Sequence, residues 1–146
     1  MSFTKITRIR FSDCDPAGIV FYPHYFVLFN DLVEEWLDGV FEEGFAGCIT
    51  QRRFGIPTVR LEADFRAVSR MGEDVVLALT VDRIGKRSFD LALRCTGMDG
   101  GVRMAARQTI VTMSLETYRS IPIPAELSAA LYRQLSQGAQ STDAAQ

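Results

Sequence analysis

The chain has 146 residues, with 16 Lys and Arg against 18 Asp and Glu, for a net charge of -2. That length fits one domain with a real core, and the near-balanced charge points neither to nucleic acid nor to a membrane surface as partner. No run of about 18 apolar residues exists to span a bilayer, and the first residues lack the apolar block of a signal peptide. Cys14, Cys48 and Cys95 are an odd number without metal-type spacing, which fits free thiols in a reducing cytoplasm. The single histidine, His24, excludes a histidine-rich metal site.

In chain order, residues 5–11 read as a strand with Thr7, Ile9 and Phe11 on one face and Arg8 and Arg10 on the other. A loop follows over 13–22, marked by Pro16 and Gly18. From Pro23 to Asp38 the apolar residues Tyr25, Leu28, Phe29, Leu32 and Trp36 recur at helical spacing. Phe26 and Val27 make the first half of that helix apolar nearly all round, which predicts a buried helix. Residues 39–55 form a connector with room for a short helix. Beyond it the period changes to two, with Val59, Leu61, Ala63, Phe65 and Ala67 alternating with charged residues as in a half-buried strand. Met71-Gly72-Glu73-Asp74 reads as a hairpin turn into a strand of Val75, Leu77, Leu79 and Val81. Gly85-Lys86-Arg87 turns the chain into Phe89, Leu91, Leu93 and Cys95. Met98-Asp99-Gly100-Gly101 is the strongest hairpin signal and leads to a last long strand over 102–114. A terminal helix over 125–134 and a disordered tail over 138–146 complete a single domain of residues 1–137.

These elements predict an α+β protein, a five-stranded antiparallel sheet wrapped around one long helix over about 23–38. One helix cannot cover both faces of such a sheet, and Val76, Ala78, Ala92, Val111 and Met113 leave the outer face partly apolar. A symmetric oligomer would cover the remainder.

The chemistry concentrates in 11–25. Asp13 and Asp15 are compatible with plain turn chemistry, because aspartate side chains bond nearby backbone. Asp15 also precedes Pro-Ala-Gly and the apolar Ile19-Val20-Phe21, and a desolvated carboxylate beside such a wall is a stronger base or nucleophile. Cys14 is a poorer nucleophile, since its flanking carboxylates disfavour the thiolate. Tyr22 and Pro23 offer no capping side chain, so amides at the helix start need another acceptor, either ordered water or a substrate carbonyl. Lys86, Arg87 and Ser88, with Arg119, read either as a solvated basic turn or as a phosphate clamp. Phe21, Phe26, Phe29 and Phe54 are core candidates, and those at the helix start are also candidates to line an acyl pocket.

The ordered run Asp13-Cys14-Asp15-Pro16-Ala17-Gly18-Ile19-Val20-Phe21-Tyr22-Pro23, with Tyr25 two residues on, resembles the active-site segment of the 4-hydroxybenzoyl-CoA thioesterase family of hotdog-fold enzymes. The resemblance covers residues 5–135. It implies an acyl-CoA thioesterase without cofactor or metal, acting as a homodimer or a homotetramer with sites at subunit interfaces. On the matching positions it implies Asp15 as catalytic carboxylate and the Tyr22 amide as the donor that polarises the thioester carbonyl. Lys86, Arg87 and Ser88 match the turn that meets the coenzyme A nucleotide, and Arg119 falls near a further nucleotide contact. Asn30 stands where the hydroxybenzoyl-specific branch has an acid, so the aromatic substrate does not transfer with the chemistry. His24 falls one position beyond the family's histidine and inherits no role. Two other readings remain at this level, a non-catalytic acyl-CoA-binding module and a structural oligomerisation domain.

Overall fold

The computed structural model describes residues 2–141, the last six as backbone. In chain order it contains β1 (Phe3–Arg8), a 3-10 turn (Phe11–Asp13), α1 (His24–Val40), α2 (Gly44–Gly47) and a π turn (Cys48–Arg52). Then follow β2 (Phe54–Gly55), β3 (Thr58–Phe65), β4 (Asp74–Ile84), β5 (Ser88–Gly97), β6 (Val102–Val111), β7 (Met113–Ser114), α3 (Ala125–Arg133) and β8 (Leu135–Ser141). The main sheet runs β1-β4-β5-β6-β3, antiparallel throughout, and β8 lies parallel to the far end of β4 at Val81–Ile84. Strand β8 includes 138–141 of the expected tail, and 142–146 lie outside the described residues.

Helix α1 forms because its apolar residues share one stripe, and that stripe is its buried face: Tyr25, Leu28, Phe29, Leu32, Val33, Trp36 and Leu37. Strands β4, β5 and β6 meet it with alternate residues, Val75, Leu77, Leu79 and Val81, then Phe89, Leu91, Leu93 and Cys95, then Met104, Ala106 and Ile110. The helix therefore lies across the middle of the sheet, with its N-terminus held beside the 13–22 loop.

Four expectations change. The first strand ends at Arg8, and its register turns Ile6 outward with Arg8; Phe11, now in the 3-10 turn, is exposed. The first half of α1 is not buried all round, since Val27 is exposed in the single chain, as are Phe21 and Tyr22 just before the helix. Strand β3 is not half-buried. It is the edge of the sheet, and Val59, Leu61 and Phe65 lie 60%, 43% and 50% exposed. Period-two patterning marks which residues share a face and is silent about what covers that face.

The turn at Met71–Asp74 is not a hairpin either, because β3 pairs with β6 while β4 pairs with β1 and β5. The chain crosses from one edge of the sheet to the other through 66–73. Gly72, at φ +89, bends the crossing, and its amide donates to the Ile9 carbonyl at 2.8 Å. That crossing segment carries the loop described next.

Candidate active site

The loop between β1 and α1 folds back on itself. The Asp15 amide donates to the Ile19 carbonyl (3.1 Å), Cys14 and Val20 form an antiparallel bridge, and the Phe21 amide donates to the Asp13 carbonyl (2.9 Å). Gly18, at φ +77, makes the reversal possible, and its amide closes the turn onto the Asp15 carbonyl at 2.9 Å. The two aspartates then part company. Asp13 is buried; one carboxylate oxygen accepts the Arg10 amide at 2.8 Å and the other lies 3.5 Å from Nδ1 of His24. Asp15 is half-exposed, and its only side-chain partner among the described residues is the Ala17 amide, at 2.8 Å. Asp13 therefore spends its oxygens on structure, while Asp15 keeps lone pairs for something else.

The helix start lies at the end of this folded loop. Pro23 occupies the cap position and no side chain caps the turn. The His24, Tyr25 and Phe26 amides are nonetheless satisfied by the carbonyls of Phe21, Tyr22 and Pro23. The expected set of free donors thus narrows to one. Among the described residues the Tyr22 amide has no acceptor, Pro23 has no amide hydrogen, and the positive end of the α1 dipole lies there.

A buried brace holds loop and helix together, and nothing in the one-dimensional pattern announced it. The Ser69 carbonyl accepts the Val20 amide (2.9 Å), Arg70 bridges Ile19, and the Met71 amide donates to Gly18 (2.9 Å). The Ser69 hydroxyl, wholly buried, accepts the Tyr25 hydroxyl at 2.9 Å. Arg103 closes the back by donating to the Val68 carbonyl and by pairing with Glu73, which also accepts the Arg70 amide. The Arg103 hydrogen bonds hold the Glu73 carboxyl below its ordinary range. Burial raises the Tyr25 hydroxyl and drives the Cys95 thiol up to about 11, leaving both neutral inside the brace. Burial, and then the charges of Asp13 and Asp15, also push the Cys14 thiol up, which removes it as a competing nucleophile.

The aromatic candidates split. The Phe65 ring of β3 meets Tyr22, Tyr25 and Phe26 at centroid distances of 5.9, 6.0 and 6.3 Å, and Phe21 packs edge-on against Tyr22. Phe26 then walls an open cavity of about 380 Å³ along the seam between α1 and β3, with Asn30, Thr58, Leu61, Leu93 and Gln108 among its lining. Phe54 packs far away, on Phe41 near the end of α1.

The basic residues do not join Asp15 within one chain. Lys86 and Arg87 lie in the turn between β4 and β5, whereas the Asp15 loop packs by Ile9 and Glu73 at the opposite end of β4. The 11 residues of β4 separate the two places, on the order of 30 Å at strand rise. Arg87 donates to the Ser120 carbonyl at 2.8 Å, which brings Arg119 to the same corner, and Lys86 is exposed beside a second cavity of about 380 Å³ walled by Ile123, Ser128 and Tyr132. Ser88 is buried, and its hydroxyl accepts Arg83 at 2.8 Å. Arg83 also pairs with Asp90, whose carboxyl burial pushes up; hydrogen bonds from Arg83, Thr109 and Arg107 outweigh that and hold it low.

A single helix enclosed by an antiparallel sheet, with a carboxylate loop at its uncapped start, defines a hotdog-fold protein. Sequence comparison makes this specific. The model of the thioesterase-like superfamily matches residues 9–131, and the chain belongs to that family. The chain is 26% identical over 140 residues to a 4-hydroxybenzoyl-CoA thioesterase of Pseudomonas sp. (strain CBS-3), covering 86% of this chain and 94% of that one. It is 24% identical over 123 residues to a 1,4-dihydroxy-2-naphthoyl-CoA hydrolase of Nostoc punctiforme, covering 84% and 82%. Among solved structures, a 1,4-dihydroxy-2-naphthoyl-CoA thioesterase from Synechocystis superposes with a TM-score of 0.82 at 20% identity, over 90% of this chain and 96% of that one.

Proposed function

We propose that the protein hydrolyses an acyl-CoA thioester to the carboxylic acid and free coenzyme A. The observation that carries this reading is the pairing, on one folded loop, of a carboxylate with spare lone pairs, Asp15, and an amide without an acceptor among the described residues, Tyr22. The Tyr22 amide receives the thioester carbonyl and stabilises the charge that develops on its oxygen, an interaction typically worth about 3 kcal/mol of barrier. Asp15 either attacks the carbonyl carbon, expelling the thiolate and leaving a mixed anhydride for water to cleave, or takes a proton from the water that attacks. The relatives' hydroxyaryl thioesters are the acyl class to try first.

The remaining parts fit a homodimer. The apolar row on the β3 edge is the kind of face a second copy covers, and two β3 strands paired antiparallel about a two-fold would extend the sheet. The two-fold would bring the Lys86–Arg87 turn of one copy toward the Asp15 end of the other, closing the 30 Å gap. In this arrangement Lys86, Arg87 and Arg119 meet the nucleotide phosphates, Phe21 and Phe26 flank the acyl group, and Ser88 supports the turn from within. A homotetramer would pair two such dimers.

The test is coenzyme A release from 4-hydroxybenzoyl-, benzoyl- and aliphatic acyl-CoA by the wild type and Asp15→Asn. The amide of Asn can still accept from Ala17, so the variant should keep its fold while turnover falls about 10²–10⁴-fold. Wild-type turnover by a folded Asp15→Asn protein would refute the reading. Oxygen-18 from labelled water entering the Asp15 carboxylate after turnover would identify it as nucleophile.

A further inference from the structure

His24 is the first residue of α1 and the single histidine of the chain. Its ring is partly open to solvent, but Nδ1 is enclosed and makes no hydrogen bond among the described residues. The group facing it is the Asp13 carboxylate, with Oδ1 at 3.5 Å and Oδ2 engaged by the Arg10 amide. A bare ring nitrogen there would set two acceptors face to face, so Nδ1 carries a hydrogen and directs it at Oδ1. The 3.5 Å separation is longer than a formed hydrogen bond, so the contact adds little to stability by itself. An enclosed polar atom held off its partner opposes folding. What the contact connects accounts for it better.

It joins the two backbone anchors of Phe21. On one side the Asp13 carbonyl accepts the Phe21 amide at 2.9 Å, and on the other the His24 amide donates to the Phe21 carbonyl at 2.8 Å. The Phe21 carbonyl and the Tyr22 N–H belong to one planar peptide unit and point in opposite directions. Holding the carbonyl therefore aims the N–H, and that N–H is the donor at the helix start without an acceptor among the described residues. The Nδ1–Oδ1 contact ties the same two anchoring residues side chain to side chain. Asp13, Phe21 and His24 thus form a closed ring of contacts around the peptide that carries the donor. Two separate bonds would each let that peptide swing, and the third contact restrains it.

We propose that His24 is a positioning residue, whose ring closes against Asp13 and holds the Phe21–Tyr22 peptide with its N–H aimed at the thioester carbonyl. This proposal rests on the thioesterase reading and adds to it a residue that acts through the Tyr22 amide. A donor to a developing oxyanion is effective because it is aimed before the charge appears. A peptide free to swing loses part of that advantage to reorganisation, so opening the ring slows the chemical step and leaves ground-state binding alone. The side-chain amide of Asn offers an N–H that can face Asp13 from the same position, whereas Leu fills the space and offers no donor.

The experiment measures kcat and KM for coenzyme A release from whichever of 4-hydroxybenzoyl-, benzoyl- and aliphatic acyl-CoA the wild type turns over fastest. Wild type, His24→Leu, His24→Asn and Asp15→Asn are compared, with the thermal midpoint of each. His24→Leu should lower kcat about tenfold, with KM unchanged to within about twofold. His24→Asn should recover kcat to within about threefold of wild type. His24→Ala takes the place of His24→Leu if the leucine variant does not fold, and failure of both to fold makes His24 structural and overturns the proposal. A folded His24→Leu with kcat within about twofold of wild type, an Asn variant no faster than the Leu variant, or a raised KM at unchanged kcat also overturns it, while Asp15-dependent hydrolysis stands. Absence of coenzyme A release from every thioester by the wild type, or full turnover by Asp15→Asn, overturns the thioesterase reading and this proposal with it.

Discussion

The brace behind the loop supports a stability prediction that needs no substrate. Ser69 is 0% and Tyr25 4% exposed, and the hydroxyl of one donates to the other at 2.9 Å. Ser69→Ala removes the acceptor and leaves the Tyr25 hydroxyl buried without a partner, which costs about 1–3 kcal/mol. For a chain of this size that corresponds to a thermal midpoint lower by roughly 3 °C per kcal/mol. Tyr25→Phe removes the donor instead. It should cost about 1 kcal/mol, because the Ser69 hydroxyl still faces Arg103 at 3.5 Å. The double variant removes both hydroxyls, so neither is left as the other's orphan, and its loss should fall short of the sum of the singles by about 1 kcal/mol. Urea unfolding of the four proteins provides the cycle. Losses that add to within about 0.4 kcal/mol would show the two hydroxyls to be energetically independent and the brace to be mere proximity.

Two further predictions concern pH and assembly. Glu73 and Asp90 have carboxyl values held below the ordinary ones near 4, so their contribution to stability is present above that range and is lost as pH falls through the depressed values. Wild-type urea midpoints should therefore fall below pH 4, and Arg103→Met, which frees Glu73, should flatten its share of that fall; an unchanged slope would remove Arg103 as its cause. On the exposed β3 edge, Leu61→Glu and Phe65→Glu should leave far-UV circular dichroism intact while sedimentation shifts toward the monomer; full-size assemblies in both variants would place the contact elsewhere.

Much of this fold is legible in the sequence because its elements are long and strongly periodic. The stripe from Tyr25 to Trp36 and the alternation from Val75 to Cys95 each report a buried face directly. What misled was chemistry shared by different structures. Gly72 serves a crossing as well as it would serve a hairpin, since a positive φ reverses the chain either way. The Val59–Phe65 alternation reads the same whether the face is covered from within the chain or by another molecule. The apolar first turns of α1 carry a similar ambiguity, because Val27 is 49% exposed in one chain and continues the uncovered seam.

The candidate site is legible in one half and silent in the other for a physical reason. Asp15 and Tyr22 lie seven positions apart on one segment, so a single motif captures both, and only the hydrogen bonds were needed to separate Asp13 as scaffold from Asp15 with its lone pairs free. Ser69 and Arg103 act on that segment from 44 and 78 positions beyond Tyr25, and no local pattern encodes a contact at such range. A buried polar group is either satisfied by the protein or costly to the fold, and the two differ in a hydrogen-bond count that only the folded chain supplies. By that count the brace, with the Tyr25 hydroxyl bonded to the enclosed Ser69, belongs to stability.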